Sequence, residues 1–214
     1  MTDALTPTTP DEAFETLLAG NRRFVAGASA HPNQDAARRA EITSSQSPFA
    51  VMFGCADSRL AAEIIFDQGL GDLFVVRTAG HVVGTEVLGS IEYGVSLLDC
   101  PLVVVLGHDS CGAVGAARAA VEDGATPGGF VRDVVERVTP SVLSARAAGR
   151  VTEQEILHEH IRHTVDLLLE RSRALAEGVD AGRVAVVGMA YQLADGTAEL
   201  IASRGLSDKY EVRD

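Results

Sequence analysis

The sequence has no tryptophan, and seven phenylalanines and three tyrosines are its only other large aromatic residues. Proteins that bind single-stranded nucleic acid usually stack the bases on such side chains. Positive charge is also scarce: 18 lysines and arginines stand against 30 acidic residues, for a net charge of −12. An acidic surface repels phosphate backbones. We therefore expect no nucleic-acid partner.

Long apolar runs are missing as well. The longest are strand-sized, such as LVVVLG at 102–107, and a membrane helix needs roughly 20 apolar residues. The first residues, MTDALTPTTPDEAFE, carry acids and prolines where a signal peptide has basic residues and then an apolar stretch. We expect no membrane association and a cytoplasmic location.

Cysteine is infrequent, with Cys55, Cys100 and Cys111 in the whole chain. A small odd number in a chain expected to be cytoplasmic does not indicate a disulfide framework. Metal binding, catalysis and simple burial remain open for each thiol. Cys100 lies outside any motif, and we interpret it as a small buried hydrophobic residue.

Four short apolar runs are typical of strands buried on both faces of a parallel sheet. They are FAVMFG (49–54), LFVVR (73–77), LVVVLG (102–107) and RVAVVG (183–188). Helix-like segments separate them, and TAELIAS (197–203) predicts an antiparallel strand paired with 184–188. The pattern predicts an α/β fold, in which a sheet of about four parallel strands plus one antiparallel edge strand is flanked by helices.

No repeat, low-complexity segment or linker divides the chain, so we expect a single domain over residues 1–214. Its beginning, residues 1–27, predicts an N-terminal arm followed by a helix. The helical segment PDEAFETLLAGNRRFVAG has proline in its first turn and apolar residues recurring on one face.

Residues that commonly bind metals follow two of the predicted strands. Cys55 comes directly after FAVMFG, and His108 and Cys111 follow LVVVLG. Ligands of open parallel sheets bind beyond the carboxyl ends of the strands, so neighbouring strands would bring these side chains together. Two thiolates and an imidazole suit zinc, and three protein ligands leave the open position of a catalytic site.

Asp57 and Arg59 follow Cys55 closely, in CADSR. Arginine can hold a carboxylate through two parallel hydrogen bonds. The pair can be an ordinary ion pair that stabilises a turn, or Arg59 can hold Asp57 as an acceptor for zinc-bound water. A third possibility is that Asp57, released from Arg59, fills the fourth zinc position and switches the site off.

Histidines also occur in LHEHIRH, which holds His158, His160 and His163. A zinc-protease helix needs a second histidine four residues after the first, but position 162 is arginine. Spacings of two and three spread the three histidines over different faces of a helix, so we predict a mostly solvated helix surface. For His81, in RTAGHVVG, proton transfer and a capping or packing role both remain open.

Taken together, CADSR and GHDSCGA resemble the paired motifs of β-class carbonic anhydrases. The resemblance includes FVVRTAGH, GSIEYGV and AYQLADG and extends from about Asp11 to about Leu200. It implies a zinc lyase that interconverts CO₂ and bicarbonate, through attack of zinc-bound hydroxide on CO₂. One Zn²⁺ per chain would be held by Cys55, His108 and Cys111, and the catalytic dyad would be Asp57 and Arg59.

The resemblance also implies pocket residues. Gln46 matches a glutamine that hydrogen-bonds bicarbonate, and Gly112 matches a backbone contact beside the zinc. Phe74 and Tyr93 match apolar pocket positions supplied across a dimer interface, and Ala79 stands where the family often has valine. The implied assembly is a homodimer, often paired into a dimer of dimers, with the N-terminal helix packed on the partner.

One departure concerns regulation. Some family members bind bicarbonate at an inhibitory site made of a tryptophan, an arginine and a tyrosine. Arg77 and Tyr191 stand at matching places, but Met52 replaces the tryptophan. We expect no bicarbonate regulation through that site.

Two other functions are compatible with the same residues. Relatives of the β class also hydrolyse carbonyl sulfide or carbon disulfide, linear molecules that resemble CO₂. A non-catalytic zinc-binding or thiol-sensing module is less favoured, because a closed structural site normally has four Cys or His ligands.

Overall fold

The sheet has five strands, in the order β2-β1-β3-β4-β5. The computed structural model of the protein describes residues 6–212. The first four strands along the chain pair in parallel, and β5 runs antiparallel to β4 at one edge. This confirms the predicted α/β fold. The strands are β1 (Ala50–Cys55), β2 (Leu73–Thr78), β3 (Leu102–His108), β4 (Ala185–Tyr191) and β5 (Ala198–Arg204).

The three central strands are buried along their whole length, because both faces of the sheet are covered. Alternate residues of β3 enter different cores: Val104 packs in one cluster, while Val103 and Val105 pack in the other. Burying such a side chain stabilises the fold by about 1.5–3 kcal/mol. Strand β2 lies at the other edge of the sheet, and its residues are half-buried or exposed.

Helices occupy each segment where the sequence indicated them. Two of them begin with a threonine capping box, in which Thr9 or Thr152 pairs with a glutamate three residues later, and such caps contribute about 1 kcal/mol each. The helices are α1 (Pro10–Val25), α2 (Ala36–Glu41), α3 (Ala62–Ile65), α4 (Thr85–Leu97), α5 (Gly112–Asp123), α6 (Val131–Ala147), α7 (Glu153–Arg171) and α8 (Arg173–Asp180).

Helix α1 packs against its own chain. Phe14 and Leu17 enter the core, and buried Asn21 donates to the carbonyls of Ile65 and Gly196 while accepting from Ala198 N. The start of the predicted arm, residues 1–5, lies outside the described residues. Packing of this helix on a partner subunit stays a prediction, as does the assignment of the chain to one domain.

Helix α7 lies unusually close to the sheet, because glycines face it. A Cβ atom at Gly107 would lie 2.7 Å from Ile161 Cδ1, and one at Gly188 would lie 2.4 Å from Ile161 Cγ2. Real Cβ atoms do not approach other atoms so closely, so the two glycines set how near α7 approaches β3 and β4. This brings the residues around Ile161 up to the carboxyl ends of the strands.

Across residues 6–212, no helix combines the length and the apolar character that crossing a membrane requires. The cytoplasmic location stays a prediction.

Candidate metal centre

Two neighbouring strands deliver the three candidate ligands. Strands β1 and β3 pair in parallel, with Gly54 opposite Leu106. Cys55 is the last residue of β1, His108 is the last residue of β3, and Cys111 precedes the first turn of α5. Their ligand atoms all lie within 4.8 Å of one another, and all three residues are buried. This cluster is able to hold a metal ion.

The loop between His108 and Cys111 is fixed to the end of β4. Asp109 N donates to the carbonyl of Tyr191 at 3.2 Å, and the Asp109 carboxylate accepts from Leu193 N at 2.8 Å. Ser110 adopts a left-handed φ of 52°, which non-glycine residues rarely adopt. The loop therefore forms the turn that directs His108 and Cys111 to the same point.

The tautomer of His108 follows from its one hydrogen bond. Nδ1 lies 2.8 Å from the carbonyl oxygen of Asp109, which can only accept, so Nδ1 carries the proton. Nε2 is then unprotonated, and its lone pair is free to bind a metal ion. It is buried and has no hydrogen-bond partner within residues 6–212. An unpaired buried nitrogen is costly, and a metal ion at this position would satisfy it.

The two thiols influence each other's acidity. The proximity of Cys111 lowers the pKa of Cys55, and the proximity of Cys55 together with burial raises the pKa of Cys111. Gly80 N lies 3.3 Å from Cys55 Sγ and donates to it. A bound metal ion would stabilise both thiolates. Two sulfurs and an imidazole nitrogen fit zinc among the common metals.

Asp57 is held beside the cluster by Arg59. The guanidinium donates from Nε to Oδ1 at 2.9 Å and from Nη2 to Oδ2 at 2.8 Å, and Arg59 N donates to Oδ1 at 2.9 Å. These bonds hold the pKa of Asp57 well below its usual range. Asp57 Oδ2 lies 3.9 Å from His108 Nε2. An ionised carboxylate thus borders the candidate ligands.

Arg77 donates hydrogen bonds to the backbone of the segment that carries Cys55 and Asp57. Its Nε donates to the carbonyl of Cys55 at 2.9 Å, and its Nη2 donates to the carbonyl of Asp57. Met52, which stands at the position of the tryptophan in the inhibitory site, is 1% exposed within β1. Arg77 therefore braces the backbone that carries Cys55 and Asp57.

The remaining predicted site residues lie at different distances from the cluster, with Gly112 directly after Cys111. Gln46 and Ala79 are exposed, and Gly112 is exposed at the start of α5. Phe74 stacks on Tyr93 with ring centroids 5.9 Å apart. Phe74 pairs with Val51, four residues before Cys55, which is about 13 Å along a strand. Both rings are thus distant from the candidate ligands of their own chain.

The prediction of a solvated histidine surface on α7 is wrong for His160. Its side chain is 2% exposed, and its Nδ1 and Nε2 lie 2.9 Å from Ser141 Oγ and Gly80 O. It follows Ile156 by four residues and therefore shares the apolar face of the helix. His81 is 0% exposed and packs 4.3 Å from the His160 ring, so of its two open roles the structure favours packing.

Cys100 is buried away from the cluster, as its interpretation as a hydrophobic residue predicted. Its thiol donates to the carbonyl of Pro48 at 3.2 Å, and burial raises its pKa to about 12. The sequence analysis missed the contact of Gly80 N with Cys55. A glycine at the end of β2, the strand beside β1, was the available signal.

Comparison with known proteins identifies relatives along nearly the whole chain. The sequence model of the family described as carbonic anhydrase matches residues 50–198. Carbonic anhydrase 2 of Mycobacterium tuberculosis is 58% identical over 193 residues, which are 90% of this chain and 93% of that protein. The carbonic anhydrase of Mycolicibacterium smegmatis is 57% identical over 196 residues, 92% of this chain and 95% of that one.

Solved structures share the fold. A tetrameric β-carbonic anhydrase of the ascomycete Sordaria macrospora superposes with a TM-score of 0.70 at 22% identity, covering 89% of this chain and 98% of that one. The Coccomyxa β-carbonic anhydrase, solved in complex with acetazolamide, superposes with a TM-score of 0.68 at 22% identity. The match covers 86% of this chain and 84% of that one.

An α/β sheet with a Cys, His, Cys cluster at its carboxyl edge defines a class of metal-dependent enzymes. Within that class, the chain belongs to the carbonic anhydrase family, and its fold is that of the β-class structures. The resemblance stated from CADSR and GHDSCGA is confirmed, and so is the prediction of an enzyme of the carbonic anhydrase type, a lyase.

The buried His160 predicts that acid destabilises the protein. Burial lowers the pKa of His160 from 6.5 to about 4, so between these values the unfolded chain binds a proton that the folded chain does not. Stability therefore falls as the pH drops from 6.5 toward 4. His160 accounts for a loss of at most about 3 kcal/mol of unfolding free energy, because one pKa unit corresponds to about 1.4 kcal/mol.

Urea unfolding of metal-free wild type and His160→Gln, at about pH 7 and about pH 5, measures this loss. We expect a smaller loss of unfolding free energy in the variant. The His81 ring packs 4.3 Å from the His160 ring, and burial together with His160 lowers the pKa of His81, so the comparison reports on the two histidines as a coupled pair. Equal losses in the two proteins would show that His160 is not the group responsible.

Proposed function

We propose that the protein catalyses the reversible hydration of CO₂ to bicarbonate and a proton, with one zinc ion per chain. The observation that carries this proposal is the buried cluster of Cys55, His108 and Cys111 beside an ionised Asp57. Bound zinc lowers the pKa of a coordinated water toward neutrality and so supplies a nucleophile at physiological pH.

In this proposal Asp57 orients the attacking water. Its carboxylate accepts a hydrogen bond from the water and fixes the lone pair that faces CO₂. Three hydrogen bonds from Arg59 hold the carboxylate in place, and they keep it ionised across the physiological range. Arg59 is therefore the residue that positions Asp57.

The same three bonds bear on the possibility that Asp57 becomes a fourth ligand. Asp57 Oδ2 lies 3.9 Å from His108 Nε2, so a modest movement would bring it to a shared metal. That movement would break the bidentate pair with Arg59. The described geometry supports the open arrangement, with Asp57 on Arg59 and the fourth position left to water.

Substrate contacts in the proposal come from two chains. Gln46 hydrogen-bonds bicarbonate, Ala79 is a pocket position, and Gly112 contacts substrate through its backbone. Phe74 and Tyr93 line the pocket of a partner subunit, which agrees with their distance from the candidate ligands of their own chain.

An exposed apolar surface supports this dimer. Tyr93 is 45% exposed, and Leu97, one turn further along α4, is 67% exposed. Tyr93 stacks on Phe74 of the half-buried edge strand β2, which presents unpaired backbone groups. A partner subunit would cover this surface, and a dimer of dimers is the proposed larger assembly.

Zinc content tests the metal assignment. We expect one zinc ion per wild-type chain after dialysis, measured by elemental analysis. Cys111→Ser should lose about 10-fold or more in zinc affinity, because serine supplies no thiolate. Cys100→Ser is the matched control, since Cys100 is a buried cysteine outside the cluster. Equal zinc retention by the two variants would contradict the proposed ligand set.

Stopped-flow CO₂ hydration tests the role of Asp57. With zinc fully loaded, Asp57→Asn should lower kcat about 100-fold, because the amide is a weaker acceptor and lacks the ion pair. Arg59→Lys should fall between wild type and Asp57→Asn, since lysine keeps the charge without the two-pronged contact. Asp180→Asn, an exposed position at the end of α8, should leave the rate unchanged.

Wild-type protein with full zinc and no CO₂ hydration at neutral or mildly alkaline pH would refute the proposed function. Full activity in Asp57→Asn would refute the role of Asp57 alone.

Analytical ultracentrifugation tests the dimer. We expect wild type to sediment as a dimer or a larger assembly, and Tyr93→Asp to shift toward single chains, because a buried charge without a partner destabilises an interface. Phe130→Asp is the control, since Phe130 is 90% exposed in the segment before α6. A wild-type protein that sediments as a single chain would contradict the proposal.

A further inference from the structure

A tight turn lies directly behind Cys55. Gly80 N lies 3.3 Å from Cys55 Sγ and donates to it. Gly80 has a left-handed φ of 62°, and a Cβ atom there would lie 2.6 Å from Ala113 Cβ. The turn is therefore wedged against α5, the helix that follows Cys111. Small movements of Gly80 change the hydrogen bond to the sulfur.

His160 holds this turn from the opposite side. Its Nε2 lies 2.9 Å from Gly80 O, and its Nδ1 lies 2.9 Å from Ser141 Oγ. The carbonyl can only accept, so Nε2 carries the proton, and Nδ1 accepts from the Ser141 hydroxyl. Burial keeps the ring neutral by lowering its pKa to about 4. One tautomer thus satisfies both contacts.

These groups are shielded from solvent. Ser141 is 0% exposed and His160 is 2% exposed, so water does not compete for their hydrogen bonds. The His81 ring packs 4.3 Å from the His160 ring and restricts its movement. A buried polar pair with unsatisfied atoms is costly, and with Gly80 in its observed position both ring nitrogens of His160 are satisfied.

We propose that Ser141 and His160 are positioning residues of the metal centre, which fix Gly80 so that its N–H donates to the Cys55 thiolate. Helices α6 and α7 thereby act on a ligand at the end of β1. Hydrogen bonds to a metal-bound sulfur reduce its negative charge and stabilise its orientation, and loss of such supporting contacts weakens metal binding about 10- to 100-fold. The inference rests on the proposed metal site but does not require CO₂ as the substrate.

Cobalt-loaded protein gives a direct readout. Co²⁺ bound to thiolates shows a charge-transfer absorption whose energy depends on the charge of the sulfur. In His160→Met, which keeps the bulk of the side chain without a donor, we expect this band at lower energy and Co²⁺ binding about 10-fold weaker by chelator competition. Ser141→Ala should shift both quantities in the same direction by less.

Rescue and control variants separate positioning from general packing. His160→Gln retains an N–H donor for Gly80 O and should restore most of the band energy and the Co²⁺ affinity. Val165→Ala removes buried methyl groups from the same helix and leaves a cavity in the core, without touching the turn. It should lower the stability but leave the cobalt band and affinity unchanged.

The proposal is overturned if His160→Met binds Co²⁺ with the wild-type band and affinity, or if Val165→Ala shifts them equally. If His160→Met does not fold, Ser141→Ala and His160→Gln still decide the question, because unchanged spectra in Ser141→Ala would also contradict it. A wild type that binds Co²⁺ normally but fails to hydrate CO₂ as the zinc form would refute the proposed function and leave this inference standing.

Discussion

The parallel pairing of β1 with β3 is the constraint on which the rest of the site depends. It places the ends of both strands at one edge of the sheet, so that Cys55 and His108 meet although 52 residues lie between them. That pairing is stable because β1 and β3 are buried on both faces, where apolar contact supplies the stabilisation. The polar cluster therefore lies at the end of two strands that are held in place by buried apolar side chains.

Electrostatics at this edge are local, and the net charge of the chain plays little part in them. Arg59 and Arg77 both bind the segment that follows Cys55, one through the Asp57 carboxylate and the other through backbone carbonyls. Two guanidinium groups thus lie beside a site that gathers two sulfurs and a carboxylate. They limit the repulsion among these anionic groups and keep each in one orientation.

Much of this arrangement was predictable from the sequence, because short apolar runs determine the strands, and residues after parallel strands share an edge. The apolar run LVVVLG predicts strand β3 and therefore predicts that His108 lies at its carboxyl end. The burial of His160 was not predicted, because the three histidines of α7 were treated as one unevenly spaced set. Its spacing from Ile156 was the informative one, but an apolar face becomes certain only when the element covering it is known.

Backbone contacts were largely beyond the sequence. The glycine after β2 indicates a turn, but the approach of the Gly80 N–H to Cys55 depends on helices that lie far along the chain. The position of the Phe74 and Tyr93 rings likewise follows from the register of β2 with β1, which a single sequence does not specify.

The three candidate ligands sit on elements that pack into large apolar clusters: β1, β3 and α5 each contribute buried side chains to them. Small zinc domains differ, because they lack such a core and the ion itself drives their folding. In this chain apolar burial, distributed along the sheet, stabilises the elements that carry the ligands, so the geometry of the cluster is set by residues that never contact it.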